Sequence, residues 1–171
     1  LCYQGNTFTN AHQHQGKLNE FTQIGCEFIN DDSSAADAEI IACVISCLLE
    51  VGLNEFMIEI GEVDYFKGII AEAGLDKAVE DKIKEYIQLK NFFGLSEFVS
   101  GLDISDNMKK AISEFNLLFG GLEMLEHAGT LVNNKQSLDA IDRMKKVYQA
   151  LSFYGYEKYV SFDFSMINRY N

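Results

Sequence analysis

The chain has 171 residues, one domain's worth, and is long enough to bury a substantial core. A hydrophobic fraction of 47% and a mean hydropathy of -0.06 describe a soluble globular protein, and the longest apolar run, residues 40–49, falls short of the ~20 residues that span a bilayer. Against 26 acidic residues stand 14 basic ones, a net charge of -12 with no basic cluster denser than Lys109-Lys110 and Lys145-Lys146, so neither nucleic acid nor a membrane is expected as a partner.

Residues 1–8 read as a short strand, followed by a polar loop over 9–18. The segment EFTQIGCEFI (20–29) then alternates as a second strand, making a long-looped antiparallel hairpin. One face carries Phe21, Gln23, Gly25, Glu27 and Ile29, and the other carries Ile24, Cys26 and Phe28 as an expected core face. Gln23 and Glu27 lie about 13 Å apart at ~3.3 Å per residue, with Gly25 leaving a notch between them. An amide and a carboxylate around a missing side chain can floor a small polar pocket. A strand whose polar face is simply wet has the same alternation.

A turn cluster, 30–34, leads to a helix with Ser34 as its N-cap and Asp37 and Glu39 explained by the helix dipole. Its apolar stripe is Ile40, Ile41, Val44, Ile45, Leu48 and Leu49, and Gly52 is its stop. Residues 56–60 alternate as a third strand. Helical periodicity then marks Ile69, Ile70 and Ala73, next Val79, Ile83, Tyr86 and Ile87, and next Met108, Ile112, Phe115 and Leu118. After the Gly120-Gly121 break come Leu122, Leu125 and Leu131, and a long helix carries Leu138, Ile141, Met144, Val147 and Leu151. Residues 159–166 alternate again, with Val160, Phe162 and Phe164 opposite Ser161, Asp163 and Ser165. The expected fold is α+β: four strands in one antiparallel sheet flanked by helices, with a helical insertion. The expected division is 1–62 for hairpin, helix and strand, 63–134 for the insertion, and 135–171 for the return helix and strand.

Cys2, Cys26, Cys43 and Cys47 form no C-x-x-C, which argues against a zinc site or disulfide framework and fits a reducing cytoplasm. His12 and His14 form an H-x-H in a polar loop with no acidic pair nearby, so no metal is expected there. Tyr154, Tyr156 and Tyr159 read as packing. No nucleotide-binding, hydrolase or metalloprotease motif is present, and no cofactor is expected. No signal peptide is visible, and Leu1 is not an initiator Met.

The hairpin, the polar loop, the E-F-x-Q-x-G-x-E strand and the D-A-E-I-I helix start together resemble the class II catalytic core of histidyl-tRNA synthetases, as does the tail SFDFSMINRYN (161–171). In that family the residues matching Gln23 and Glu27, with Gly25 between them, line a histidine pocket. The resemblance implies that a dimer-forming motif precedes Leu1, giving a homodimer, and that a Tyr- and Gly-rich segment completes the pocket after Asn171. The departures bear on catalysis. Where the synthetases carry Arg, Glu and Arg in the hairpin, this chain has Thr9, Ala11 and His12, and Asn168 stands in place of an adenylation Arg. Adenylyl transfer relies on fixed cations, so no catalytic residue is expected. The stretches 60–70 and 90–95 resemble the synthetase paralogues that serve as regulatory subunits of ATP phosphoribosyltransferase. That resemblance implies a hetero-oligomer with the short catalytic subunit, control of the first step of histidine biosynthesis, and histidine as ligand and feedback inhibitor. A divergent histidyl-tRNA synthetase core, or a synthetase-like protein binding another amino acid, is the alternative.

Overall fold

The structure, a computed structural model, describes residues 1–9 and 18–167. Strands β1 (Cys2–Phe8) and β2 (Glu20–Cys26) form an antiparallel hairpin in the register Cys2↔Cys26 to Phe8↔Glu20. Leu1 and Glu27 exchange both backbone hydrogen bonds at its base, with the Leu1 amine donating at 2.7 Å and the Glu27 amide at 2.8 Å. Helix α1 (Ser34–Glu50) leads to β3 (Ile58–Ile60). Helices α2 (Val63–Ala73), α3 (Lys77–Gln88), α4 (Phe92–Ser100) and α5 (Asp106–Ser113) follow, then a 3-10 turn at Glu114–Leu117 and the two-residue strand β4 (Phe119–Gly120). Helices α6 (Leu122–Thr130) and α7 (Lys135–Phe153) precede β5 (Val160–Asp163).

The single antiparallel sheet expected from alternation is two sheets. The hairpin stands alone as a two-stranded ribbon, and a second sheet has the order β3-β5-β4, with β3 parallel to β5 and β4 antiparallel to it. Alternation marks a strand but carries no partner information. The parallel pair follows from the long helical crossover between β3 and β5, since parallel neighbours need such a connection. Its central place also buries β5 on both faces, so Ser161 and Asp163 lie inside rather than on a wet face. Asp163 is satisfied locally, its Oδ1 accepting from the Ser165 amide at 2.8 Å.

Helix α7 ties the molecule together. Its Ala140, Ile141 and Met144 join the larger core with residues of α2 to α6 and with Phe162 and Phe164, whereas Val147 and Leu151 join a smaller core with α1 and Val160. Small residues set how close the helices come. Gly68 of α2 packs so near α7 that a side-chain carbon there would sit 2.3 Å from Ser137 Oγ. On α1 the buried face is Ala38, Ala42 and Ile45, and Val44, expected in the stripe, is 42% exposed. The helix is capped one residue earlier than expected, by Ser33, whose Oγ accepts from the Ala36 amide at 3.1 Å. Gly52 sits at φ 88, beyond the end of α1, in the left-handed conformation that glycine adopts without strain. Helix α4, an apolar stretch with little amphipathic contrast, has no counterpart in the periodicity reading.

Candidate functional site

The hairpin register sorts the sequence-predicted residues. Tyr3, Gly5 and Thr7 face the same side as Gly25, Gln23 and Phe21, while Cys2, Gln4 and Asn6 share the other side with Cys26, Ile24 and Thr22. The expected core face is not a core: Ile24 is 76% and Phe28 46% exposed, because no residue of either hairpin strand enters the two hydrophobic cores. The notch at Gly25 is not empty either. The Tyr3 ring lies across it, so close that a Cβ on Gly25 would meet Tyr3 Cζ at 2.3 Å. Gln23 is committed to the same ribbon, its Nε2 donating to the Tyr3 hydroxyl at 3.0 Å and its Oε1 accepting from Thr7 Oγ1 at 3.1 Å. Thus the amide and the notch belong to one cross-strand unit with Tyr3, a residue the sequence reading passed over. The signal was in the spacing, since counting back from Gly25 through the loop pairs it with Tyr3.

Glu27 goes elsewhere. At the foot of the hairpin it lines a cleft of about 580 Å³ with Cys26, Phe28, the α1 start and the segment leading into α2. The cleft is strongly acidic, with Glu27, Asp31, Asp32, Asp37, Glu62 and Asp64 around it and Arg143 of α7 as the cation in its lining. A second cavity of about 790 Å³ continues past Asp32, Glu62, Asp64 and Arg143 toward Lys135, Asp142 and Lys146. Several of these carboxylates arrive for local reasons. Asp31 Oδ1 accepts from the Ser33 amide at 2.9 Å, and Glu62 Oε1 caps α2 by accepting from the Asp64 amide at 3.0 Å. Acids favour helix N-termini, so two helix starts meeting at one place concentrate negative charge there.

Arg143 holds the cleft's wall. Its Nε donates to Asp37 Oδ2 at 2.8 Å, its Nη2 lies 2.7 Å from the same oxygen and 3.1 Å from Asp32 Oδ1, and its Nη1 donates to the Asp32 carbonyl at 3.1 Å. Partial desolvation works against the guanidinium charge, but Asp37 and then Asp32 outweigh it and hold its pKa above the ordinary value. Asp37, read from sequence as a dipole residue, is thereby an ion-pair partner as well. A partner 106 positions away leaves no local signal. The arrangement suits a small cationic ligand, because the carboxylates outnumber the cation and Glu27 has no hydrogen-bond or ion-pair partner from a side chain among the described residues.

The remaining sequence-predicted residues divide simply. Tyr156 and Tyr159 pack against the smaller core, Tyr156 sharing a hydrogen bond of 3.0 Å with Ser46 and Tyr159 stacking on Phe56 at 4.8 Å. Thr9 lies just past β1, its Oγ1 donating to the Leu18 carbonyl at 3.4 Å. Ala11, His12, His14 and Asn168 lie outside the described residues. Among the described residues no helix is long and apolar enough to cross a membrane.

Comparison with known proteins places this geometry. The sequence model described as histidyl-tRNA synthetase matches residues 1–171. The chain is 36% identical over 171 residues to a protein of Thermoanaerobacter pseudethanolicus named ATP phosphoribosyltransferase regulatory subunit, covering 100% of this chain and 45% of that protein. It is 39% identical over 169 residues to one of the same name from Ruminiclostridium cellulolyticum, covering 99% of this chain and 40% of the relative. A crystal structure of an ATP phosphoribosyltransferase regulatory subunit/histidyl-tRNA synthetase from Bacillus halodurans superposes with a TM-score of 0.87 at 32% identity, over 97% of this chain and 43% of the other. The chain spans less than half the length of these relatives. Sequence and fold agree along its whole length: the chain belongs to the histidyl-tRNA synthetase family, with the class II synthetase-like α+β fold, and is similar to the family's ATP phosphoribosyltransferase regulatory subunits.

Proposed function

We propose that this chain is part of a non-catalytic, cytoplasmic regulatory subunit of ATP phosphoribosyltransferase, acting with the short catalytic subunit at the first step of histidine biosynthesis. The observation that carries the reading is the whole-chain likeness to proteins named as that subunit, at 36% and 39% identity. The chemistry supports it. Thr9 stands where the synthetases place an Arg, and threonine cannot supply the fixed positive charge that adenylyl transfer requires.

In this reading histidine is the feedback ligand and Glu27 its charge-recognising group, meeting the ammonium or imidazolium from within the acidic cleft. Gln23 holds Tyr3 and Thr7 with one N–H and one lone pair, and its second N–H is the donor it can offer a ligand. Gly25 is what lets the Tyr3 ring lie in that position.

Three measurements test the proposal. Co-purification with the short catalytic subunit is expected. Histidine-dependent pyrophosphate exchange is expected to stay at background, and exchange above it would restore the synthetase reading. In calorimetry, Glu27→Gln is expected to weaken histidine binding more than tenfold, corresponding to roughly 2–5 kcal/mol for a partly desolvated charge pair. Unchanged affinity together with unchanged feedback inhibition would remove Glu27 from the site.

A further inference from the structure

The three-stranded sheet has a second face. Ile58, Ile60, Val160 and Phe162 pack into the two cores, so alternation turns Glu59, Ser161 and Asp163 to the other side. Strand pairing sets Glu59 beside Ser161 and Phe119 of β4 beside Asp163 on that side. A cavity of about 290 Å³ opens there, lined by Phe92, Phe115 and Phe119 together with Glu59, Asp163 and Lys90. It shares no lining residue with the acidic cleft or with the cavity that continues it.

Local structure fixes most of these groups. Phe115 is buried, tilted against Tyr65 at 5.9 Å and edge-on to Phe66 at 5.8 Å. Helix α3 ends with the Lys90 amide donating to the Ile87 carbonyl at 3.0 Å and the Asn91 amide to the Tyr86 carbonyl at 2.9 Å. This is the paired helix ending that usually places glycine where Lys90 stands, at φ 53, and it turns the chain so that Phe92 starts α4 against the larger core. Phe119, held by β4, keeps 55% of its surface exposed.

Asp163 is the group that needs an explanation. It is only 9% exposed, and the Ser165 amide satisfies Oδ1 alone. Among the described residues Oδ2 has no partner, and unlike Ser161 Oγ it is not sealed off, so it is open to the cavity. Glu59 and Asp163 have no ion-pair partner among the described residues either, although Lys90 lines the same cavity. A carboxylate this deeply placed favours a counter-charge.

We propose that this cavity binds a guanidinium group, its plane against the phenylalanines and its N–H groups on Asp163 and Glu59. Aromatic faces attract cations, and guanidinium is the cation that both stacks on rings and forks onto carboxylates while being weakly hydrated. A primary ammonium is more strongly hydrated and presents no plane, so it ranks below. The volume lies at the bottom of the roughly 300–1,000 Å³ that encloses a whole small-molecule ligand, so the site takes the head group of an arginine side chain or of a small alkylguanidine. Lys90 opposes the ligand by like charge, and the site does not depend on the histidine reading of the acidic cleft.

Calorimetry on the full-length protein tests the proposal, with ethylguanidinium chloride and the capped tripeptide acetyl-Ala-Arg-Ala-amide as probes. Saturable binding is expected. Asp163→Asn keeps an acceptor for the Ser165 amide and is expected to weaken binding about tenfold or more, as for a desolvated charge pair. Glu59→Gln, at an exposed position, is expected to weaken it up to about fivefold, and Lys90→Ala to tighten it. Glu27→Gln is expected to leave it unchanged, which separates this site from the acidic cleft. Thermal melting shows whether Asp163→Asn folds; if it does not, the two variants at exposed positions decide. Tighter binding of the tripeptide than of ethylguanidinium assigns the site to a protein's arginine, and equal binding assigns it to the head group alone. No saturable binding, equal affinity for propylammonium chloride, or affinity unmoved by both Glu59→Gln and Lys90→Ala would overturn the proposal.

Discussion

The Tyr3 ring occupies the space that a side chain on Gly25 would fill, and its hydroxyl accepts a hydrogen bond from Gln23 two pairs further along the ribbon. A residue type that reads as an opening in the sequence is, in the fold, a seat for a neighbour. Gly25→Ala therefore has a defined consequence. The added methyl displaces the far end of a side chain rather than backbone, so the ring swings out and Gln23 loses its acceptor. Because the hairpin contributes nothing to the two cores, we expect the change in global stability to stay within about 1 kcal/mol, the scale of one exposed hydrogen bond. Loss of nuclear Overhauser contacts between Tyr3 and residue 25, with an unchanged melting temperature, is the expected outcome.

Gly68→Ala is the contrasting case. There the new carbon would meet Ser137 Oγ at 2.3 Å, Asn134 Oδ1 at 2.5 Å and the Ser137 backbone nitrogen at 2.8 Å. The N-terminus of α7 cannot swing aside, since Asn134 caps it by accepting from the Ser137 amide and buried Ser137 donates to the Tyr65 carbonyl at 2.8 Å. Forcing α2 and α7 apart is expected to cost about 1–3 kcal/mol, the usual range for overpacking. Urea denaturation reads it, and a midpoint no lower than wild type would show that α2 and α7 separate freely.

Arg143→Gln removes the bond between α7 and the start of α1. Both carboxylate partners are solvent-accessible, Asp32 at 99% and Asp37 at 41%, so screening limits the effect to about 1 kcal/mol or less. Its local effect is larger. The Asp32 carbonyl also loses its donor, and faster amide exchange is expected over 31–37, with little change in the rest of α7. Raising the salt concentration is expected to narrow the stability gap between variant and wild type.

Acid sensitivity has one identifiable source in α3. The hydrogen bond from Lys84, at 2.6 Å, and then that from Lys77 hold the Glu80 carboxyl below its ordinary range against partial burial. A depressed carboxylate pKa stabilises the fold above its unfolded-state value, and that contribution disappears as pH falls through the folded-state value. Glu80→Gln is thus expected to be less stable than wild type near neutrality and to converge with it in acid. Thermal melts across that range check the sign, and a gap that widens in acid would contradict it.

Periodicity located α1, α2, α3, α5, α6, α7, β3 and β5, because burial of one face imprints a period on the residues that make it; β2 showed alternation without a buried face, and β1 was read from its apolar content. Alternation also set Glu27 beside Gln23 on one strand face, whereas Thr9 is marked only by the resemblance to the synthetase hairpin. What it could not give is the set of partners. Nothing in 56–60 or 159–166 says that β3 and β5 run parallel, because a strand's alternation is the same beside either neighbour. Nothing around Asp37 announces Arg143, since the pair joins through space across elements that only the packing of α1 on α7 brings together. Ile24 shows the same limit from the other side. Its apolar face is legible in the sequence, but whether anything covers it is a property of the tertiary structure, and in the described residues it remains exposed.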